Sequence, residues 1–162
     1  MVSRANGSKR ERGASAIEFA IVFPMFFGLI YIMVSYGLLF SLQHSITDAA
    51  KESARSAVAC DPANVTIAEH ESCVTNRARA TAAAALDWLP ADLRGRILGS
   101  SNSQVQVTFD TDDAIGKTVE VRVELPNYAS QPILPTISLP FPFHGAIPPL
   151  PDRLVGRAVV LL

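Results

Sequence analysis

From Phe19 to Gln43 the chain carries no formally charged side chain. At about 1.5 Å per residue, such a helix is long enough to cross a hydrocarbon core of about 30 Å. No other stretch limits the fold so strongly, because a run of this length must meet either lipid or a large protein core. A chain of 162 residues has room for one span and one small domain. Upstream lie Arg4, Lys9, Arg10 and Arg12 against Glu11, and cationic flanks stay on the cytoplasmic side. The expected order is a basic cytoplasmic leader over residues 1–13, a transmembrane helix over 14–43, a helical spine extension over 44–59 and an extracytoplasmic α+β domain over 60–162. A secretory signal peptide is excluded because the apolar run is too long and no small-residue cleavage site closely follows it.

The rest of the composition narrows the function. A net charge of -1 and a pI near 6.3 leave no basic surface for nucleic acid. Cys60 and Cys73 both follow the span, on the side expected to be oxidising, so their pairing is the simplest reading. The twelve residues between them would form a loop whose closure stabilises the fold by roughly 3 kcal/mol. A metal site built from Cys60, His70, Cys73 and Glu69 or Glu71 lacks the paired spacing of structural zinc sites. Asp110, Asp112 and Asp113 likewise lack the spacing of a calcium loop and read as turn residues. His44, His70 and His144 are scattered and form no catalytic motif. The chain is therefore expected to be neither an enzyme nor a holder of a cofactor or metal.

One residue at the start of the span is out of place. Glu18 precedes an apolar segment in which an unpaired carboxylate is costly, so it either reaches water at the interface or serves a purpose. Gly13 closes the basic head and Glu18 is the fifth residue after it. This spacing resembles the processing motif of type IV pilin precursors, which a prepilin peptidase cuts after the glycine. The stretch from Arg12 through Gly13, Ala14, Glu18 and Phe19 to Pro24, with Ala49 to Ala57 downstream, resembles the TadE family. These are minor pilin-like proteins of the tight-adherence (Flp) type IV pilus system. Phe19 departs from the tyrosine that pilins of this class often carry there.

The resemblance implies a pseudopilin-like assembly component in the inner membrane, with its N-terminus cytoplasmic and its C-terminal domain periplasmic. The implied partners are a prepilin peptidase, the Flp pilin subunits and related minor pilins, and the inner-membrane assembly platform. In pilins the glutamate meets the free amine of a neighbouring subunit. The rival expectation is an anchored periplasmic binding or sensor module that is not processed.

Further along, Ile46, Ala49, Ala50, Ser53, Ala54 and Ala57 keep the helical period, so span and spine read as one rod. Their small side chains suit packing on the outer domain or on another subunit. Within the span, Pro24 removes a donor and is expected to kink the helix, while Gly28, Ser35, Gly37 and Ser41 are small enough for a helix contact or simply face lipid. Tyr31 and Tyr36 sit too deep in a span ending at Gln43 to form an interfacial belt. A second helix is expected from about Val74 to Leu89, stopped by Pro90. Period-two alternation then marks strands around Val105 to Phe109 and Thr118 to Leu125, with a third from Leu154 to Leu162 whose continuous apolar end implies burial on both faces. Between them, residues 126–152 hold most of the prolines and read as an ordered loop wrapped over the sheet, or as an exposed partner surface. The expected fold is membrane-anchored α+β, with a long N-terminal helix, a second helix and a three-stranded antiparallel sheet.

Overall fold

The computed structural model describes residues 8–112, 116–138 and 146–162. One helix, α1, runs without interruption over Ser8–Ala57 and through Pro24. Its 50 residues make a rod of about 75 Å. It starts inside the basic leader, because Lys9, Arg10, Glu11 and Arg12 are all good helix formers. Residues 1–7 of that leader lie outside the described residues.

The C-terminal half of α1, here its outer half, carries the domain. Leu39, Leu42, Ile46, Ala49, Ala50, Ser53, Ala54 and Ala57 are buried, and α1 packs against α2, β2 and β5. The alanine stripe thus faces this chain's own domain. On the opposite side Asp48 pairs with Lys51 at 3.4 Å, an exposed contact of little energetic weight. Helix α2 spans Ile67–Ala85 and begins seven residues before the position expected from its apolar period. The reason is a capping box: Thr66 accepts from the Glu69 backbone, and Glu69 reaches back to the Thr66 backbone. Because α2 begins beside Cys60, at the outer end of α1, and then packs along it, it runs back towards the inner half. A third helix, α3 over Ala91–Leu98, follows Pro90 and buries Ile97 and Leu98. Its short length left no usable period in the sequence.

The sheet is antiparallel, ordered β1 (Gln106–Asp112), β2 (Gly116–Leu125), β5 (Leu154–Leu161). Val119, Val121, Val123 and Leu125 of β2 are fully buried, as their alternation requires. Strand β5 differs from expectation. It is an edge strand with Val159 and Leu161 more than half exposed, because helices cover only one face of the sheet. Two short strands, β3 (Ile137–Ser138) and β4 (Ala146–Ile147), pair within the proline-rich segment. Asp113 of the acidic turn, and Phe141, Phe143 and His144, lie outside the described residues.

Residues 126–138 and 146–152 of that segment are described. Its base is closed by the Tyr128 amide donating to the Asp152 carbonyl at 2.8 Å. From there it forms an arm along α1, where the Tyr31 hydroxyl donates to the Pro135 carbonyl and the Tyr36 hydroxyl to the Pro149 carbonyl at 3.4 Å.

The sheet meets α1 most closely at Gly156. A Cβ there would stand 2.4 Å from the Ile46 carbonyl oxygen, and next to it Gln43 Nε2 donates to the Val155 carbonyl at 2.9 Å. Neither backbone can yield without moving a whole element. Gly156→Ala is therefore expected to lower stability by about 1–3 kcal/mol. Gly95→Ala, on open α3 surface, should instead stabilise by about 0.5–1 kcal/mol. Denaturant midpoints in detergent check both, and equal midpoints for the two variants would contradict this account of the seam.

Candidate functional site

The residues singled out by sequence fall into two places about as far apart as the molecule allows. Gly13, Ala14, Glu18 and Phe19 all lie on the inner part of α1. The Gly13–Ala14 peptide is helical, so any protease that needs an extended strand must first unwind this turn. Glycine at that position lowers the cost of doing so, since it is among the poorest helix formers. Glu18 is exposed and shares a shallow surface groove with Ser15, Phe19 and Val22.

Above Glu18 runs a ridge that the sequence reading did not identify. Phe19, Phe23, Phe27 and Tyr31 follow one another at i, i+4 spacing, with ring centroids 5.3, 6.2 and 6.5 Å apart. The spacing itself was the available signal. Every large apolar side chain from Ile17 to Ile30 is exposed, and the helix is long and apolar enough to cross a membrane. Of the small residues in the run, Ser35 is covered, whereas Gly28 and Gly37 have no neighbouring atom within 4 Å of a built Cβ.

The second place is the outer end, where a disulfide joins Cys60 to Cys73. It ties the end of α1 to the second turn of α2. Both sulfurs are thereby committed, which removes the thiolates that the metal reading required. No group of His, Cys, Asp and Glu suited to a metal ion occurs among the described residues. His70 is buried with Nε2 3.1 Å from the Cys60 carbonyl. A nitrogen facing a carbonyl must carry the hydrogen, so His70 acts here as a donor that satisfies the end of the rod.

Beside the bridge is a hollow of about 270 Å³ lined by Val58, Val65, Ile67, His70, Lys117 and Leu162, among others. Lys117 is paired with Glu71 at 3.1 Å. The lining is mainly apolar, which suits an inserted apolar side chain better than a charged ligand. Elsewhere in the domain, burial pushes the Tyr128 phenol up, against smaller opposing effects of the Ile133 backbone and the Arg96 charge.

A family model described as TadE-like protein matches residues 13–55. The match begins at Gly13, ends within the last turn of α1, and includes none of α2, α3 or the sheet. It agrees with the resemblance read from the same residues. No curated protein and no solved structure matches the chain.

The α2 cap gives the outer end a pH dependence. Hydrogen bonds from the Thr66 backbone, then from its hydroxyl, hold the Glu69 carboxyl below its ordinary value of 4.5. A depressed carboxyl contributes stability above its unfolded pKa and loses it as pH falls through the folded one. The difference in thermal midpoint between the unmodified chain and Glu69→Gln should therefore be present at neutral pH and vanish below the carboxylate range. A difference that persists unchanged in acid would contradict the capping assignment.

Proposed function

We propose that this chain is a pseudopilin-like assembly component of a tight-adherence type IV pilus, held in the inner membrane by the inner half of α1. The observation that carries this reading is where the TadE-like match starts. It begins at Gly13, the residue after which a prepilin peptidase is expected to cut, and Glu18 stands on exposed helix five residues later. The architecture supports the same reading. An apolar helix of this kind can leave lipid for a bundle of like helices without unfolding anything, because the domain leaves every large apolar side chain from Ile17 to Ile30 exposed. Cleavage would place a free amine at Ala14, about one helical turn from Glu18, so that each subunit carries both charges of the pair its neighbours require. A dry setting makes such a pair selective, since an unmatched carboxylate there is costly.

Under this reading the basic leader stays in the cytoplasm and the outer domain lies outside it. The peptidase, the Flp pilin subunits with related minor pilins, and the assembly platform are the proposed partners. The hollow beside the disulfide favours the rival reading, an unprocessed anchored binding module, because it offers a place for an apolar group.

Mass spectrometry of the membrane-extracted protein, with and without co-expressed prepilin peptidase, separates the two. The proposal expects a mature chain beginning at Ala14, and loss of this product for Gly13→Leu. A chain that retains the leader while the peptidase processes a known pilin in the same cells would overturn it.

A further inference from the structure

The chain contains a second long uncharged stretch. From Pro126 to Pro151 there is no Asp, Glu, Lys or Arg, and its described residues, 126–138 and 146–151, form the arm held to α1 at Pro135 and Pro149. Its base lies beside the outer domain, where β5 starts at Leu154 and the Gln43 side chain meets the Val155 carbonyl. From that level it reaches inward to Tyr31, twelve residues earlier on α1, which is about 18 Å along the helix axis. The arm therefore extends about one helical turn past Ser35, the first buried residue among those whose burial is described.

The stretch from Ser15 to Val34, where the arm half-covers Tyr31 and Ile32 and every other large apolar side chain is exposed, measures about 30 Å at 1.5 Å per residue, a full hydrocarbon core. If lipid covers that stretch, its outer boundary falls between Val34 and Leu38. Tyr31 and Tyr36 then lie just inside and at the boundary, where amphipathic rings collect. Their hydroxyls are bonded to the arm rather than left for water to satisfy. In a span ending at Gln43 both rings lie deep; an outer boundary set by the domain's cover over Leu39 and Leu42 places them nearer the surface.

Backbone chemistry is what usually keeps a non-helical segment out of lipid, since each unpaired N–H or C=O costs several kcal/mol there. This arm reduces that cost in three ways. Pro132, Pro135, Pro148, Pro149 and Pro151 have no N–H to satisfy. Two carbonyls receive tyrosine hydroxyls, and β3 and β4 pair with each other. Outward, the arm exposes Ile133 and Ile137, at 38% and 40%.

We infer that the proline-rich arm is a second membrane-contacting element, seated beside α1 in the outer leaflet at the boundary between headgroups and acyl chains. The inference rests on the anchored reading above, and the bilayer itself is the partner. The arm passes the level of Ser35 by four residues, about 6 Å along α1, a depth comparable to the roughly 5–10 Å by which interfacial helices enter lipid. The contact fixes how far the rod stands out of the membrane and keeps the domain from rotating about α1.

Trp88 is the chain's one tryptophan and is exposed, so Trp88→Phe gives a dark background without opening the core. In that background, Ile133→Trp reports on the arm and Phe26→Trp on the uncovered helix. The full-length proteins are placed in phosphatidylcholine vesicles with and without brominated acyl chains, and iodide is the aqueous quencher. The arm reporter is expected to lose emission to lipid brominated near the headgroup, more than to deeply brominated lipid, and to resist iodide. Quenching of Ile133→Trp by iodide alone, while Phe26→Trp is quenched by brominated lipid, overturns the inference and leaves the anchor standing. Resistance to both quenchers overturns it too, by assigning the arm to a protein contact. Failure of Phe26→Trp to respond to brominated lipid overturns the anchored reading and the arm together.

Discussion

The structure depends on one seam, where the backbone of β5 lies against the backbone of α1 at Gly156 and Ile46. Helix and sheet come this close only because glycine stands on one side and an alanine-rich stripe continues along the other. Larger residues at Ala49, Ala50, Ala54 or Ala57 would lift the domain off the rod and open the space now filled by Val119, Val121 and Val123. With the seam closed, the rod is divided in two. Its outer part is solvated by protein and its inner part by whatever surrounds the uncovered apolar side chains.

The division explains why the remaining elements sit where they do. Helix α2 must return along α1 because the Cys60–Cys73 bridge and the His70 contact hold its start at the outer end. The strands follow the rod, with β2 antiparallel to both of its neighbours. The arm, closed at Tyr128 and Asp152, leaves the sheet at its inner edge and meets α1 at Tyr36 and Tyr31. The TadE-like match covers the rod alone, and it is the rod that makes each of these placements possible.

Much of this was legible in the residues. The uncharged run, the alanine period and the alternation of β2 each follow from one local rule, and the structure has the corresponding rod, stripe and strand. The disulfide followed from two cysteines that both come after the uncharged run. What escaped was either short or distant. The start of α2 is marked by Thr66 and Glu69, not by apolar period, since Glu69 and Glu71 interrupt it. Helix α3 is too brief to show a period at all. The edge position of β5 could not be told from a buried strand, because both read as a continuous apolar run. The arm's place depends on tyrosines more than a hundred residues away, a contact that no local pattern encodes. At the candidate site, Gly13 and Glu18 were visible as a spacing, while the aromatic ridge above them was equally visible and was overlooked.

The central claim is that α1 changes its solvent at Ser35 and not at Gln43. Spin labels placed one at a time from Ile17 to Ile46, in the full-length protein in bilayers, measure this through relative accessibility to oxygen and to a water-soluble nickel complex. Oxygen access is expected on every face up to Ile30 and at Met33 and Val34, with partial protection at Tyr31 and Ile32, where the arm lies. Beyond Val34, protection should recur at Ser35, Leu39, Leu42 and Ile46, with access to the nickel complex at Ser41 and His44. Uniform oxygen access continuing through Leu39 and Leu42 would contradict it, because the domain would then not be packed where the seam puts it.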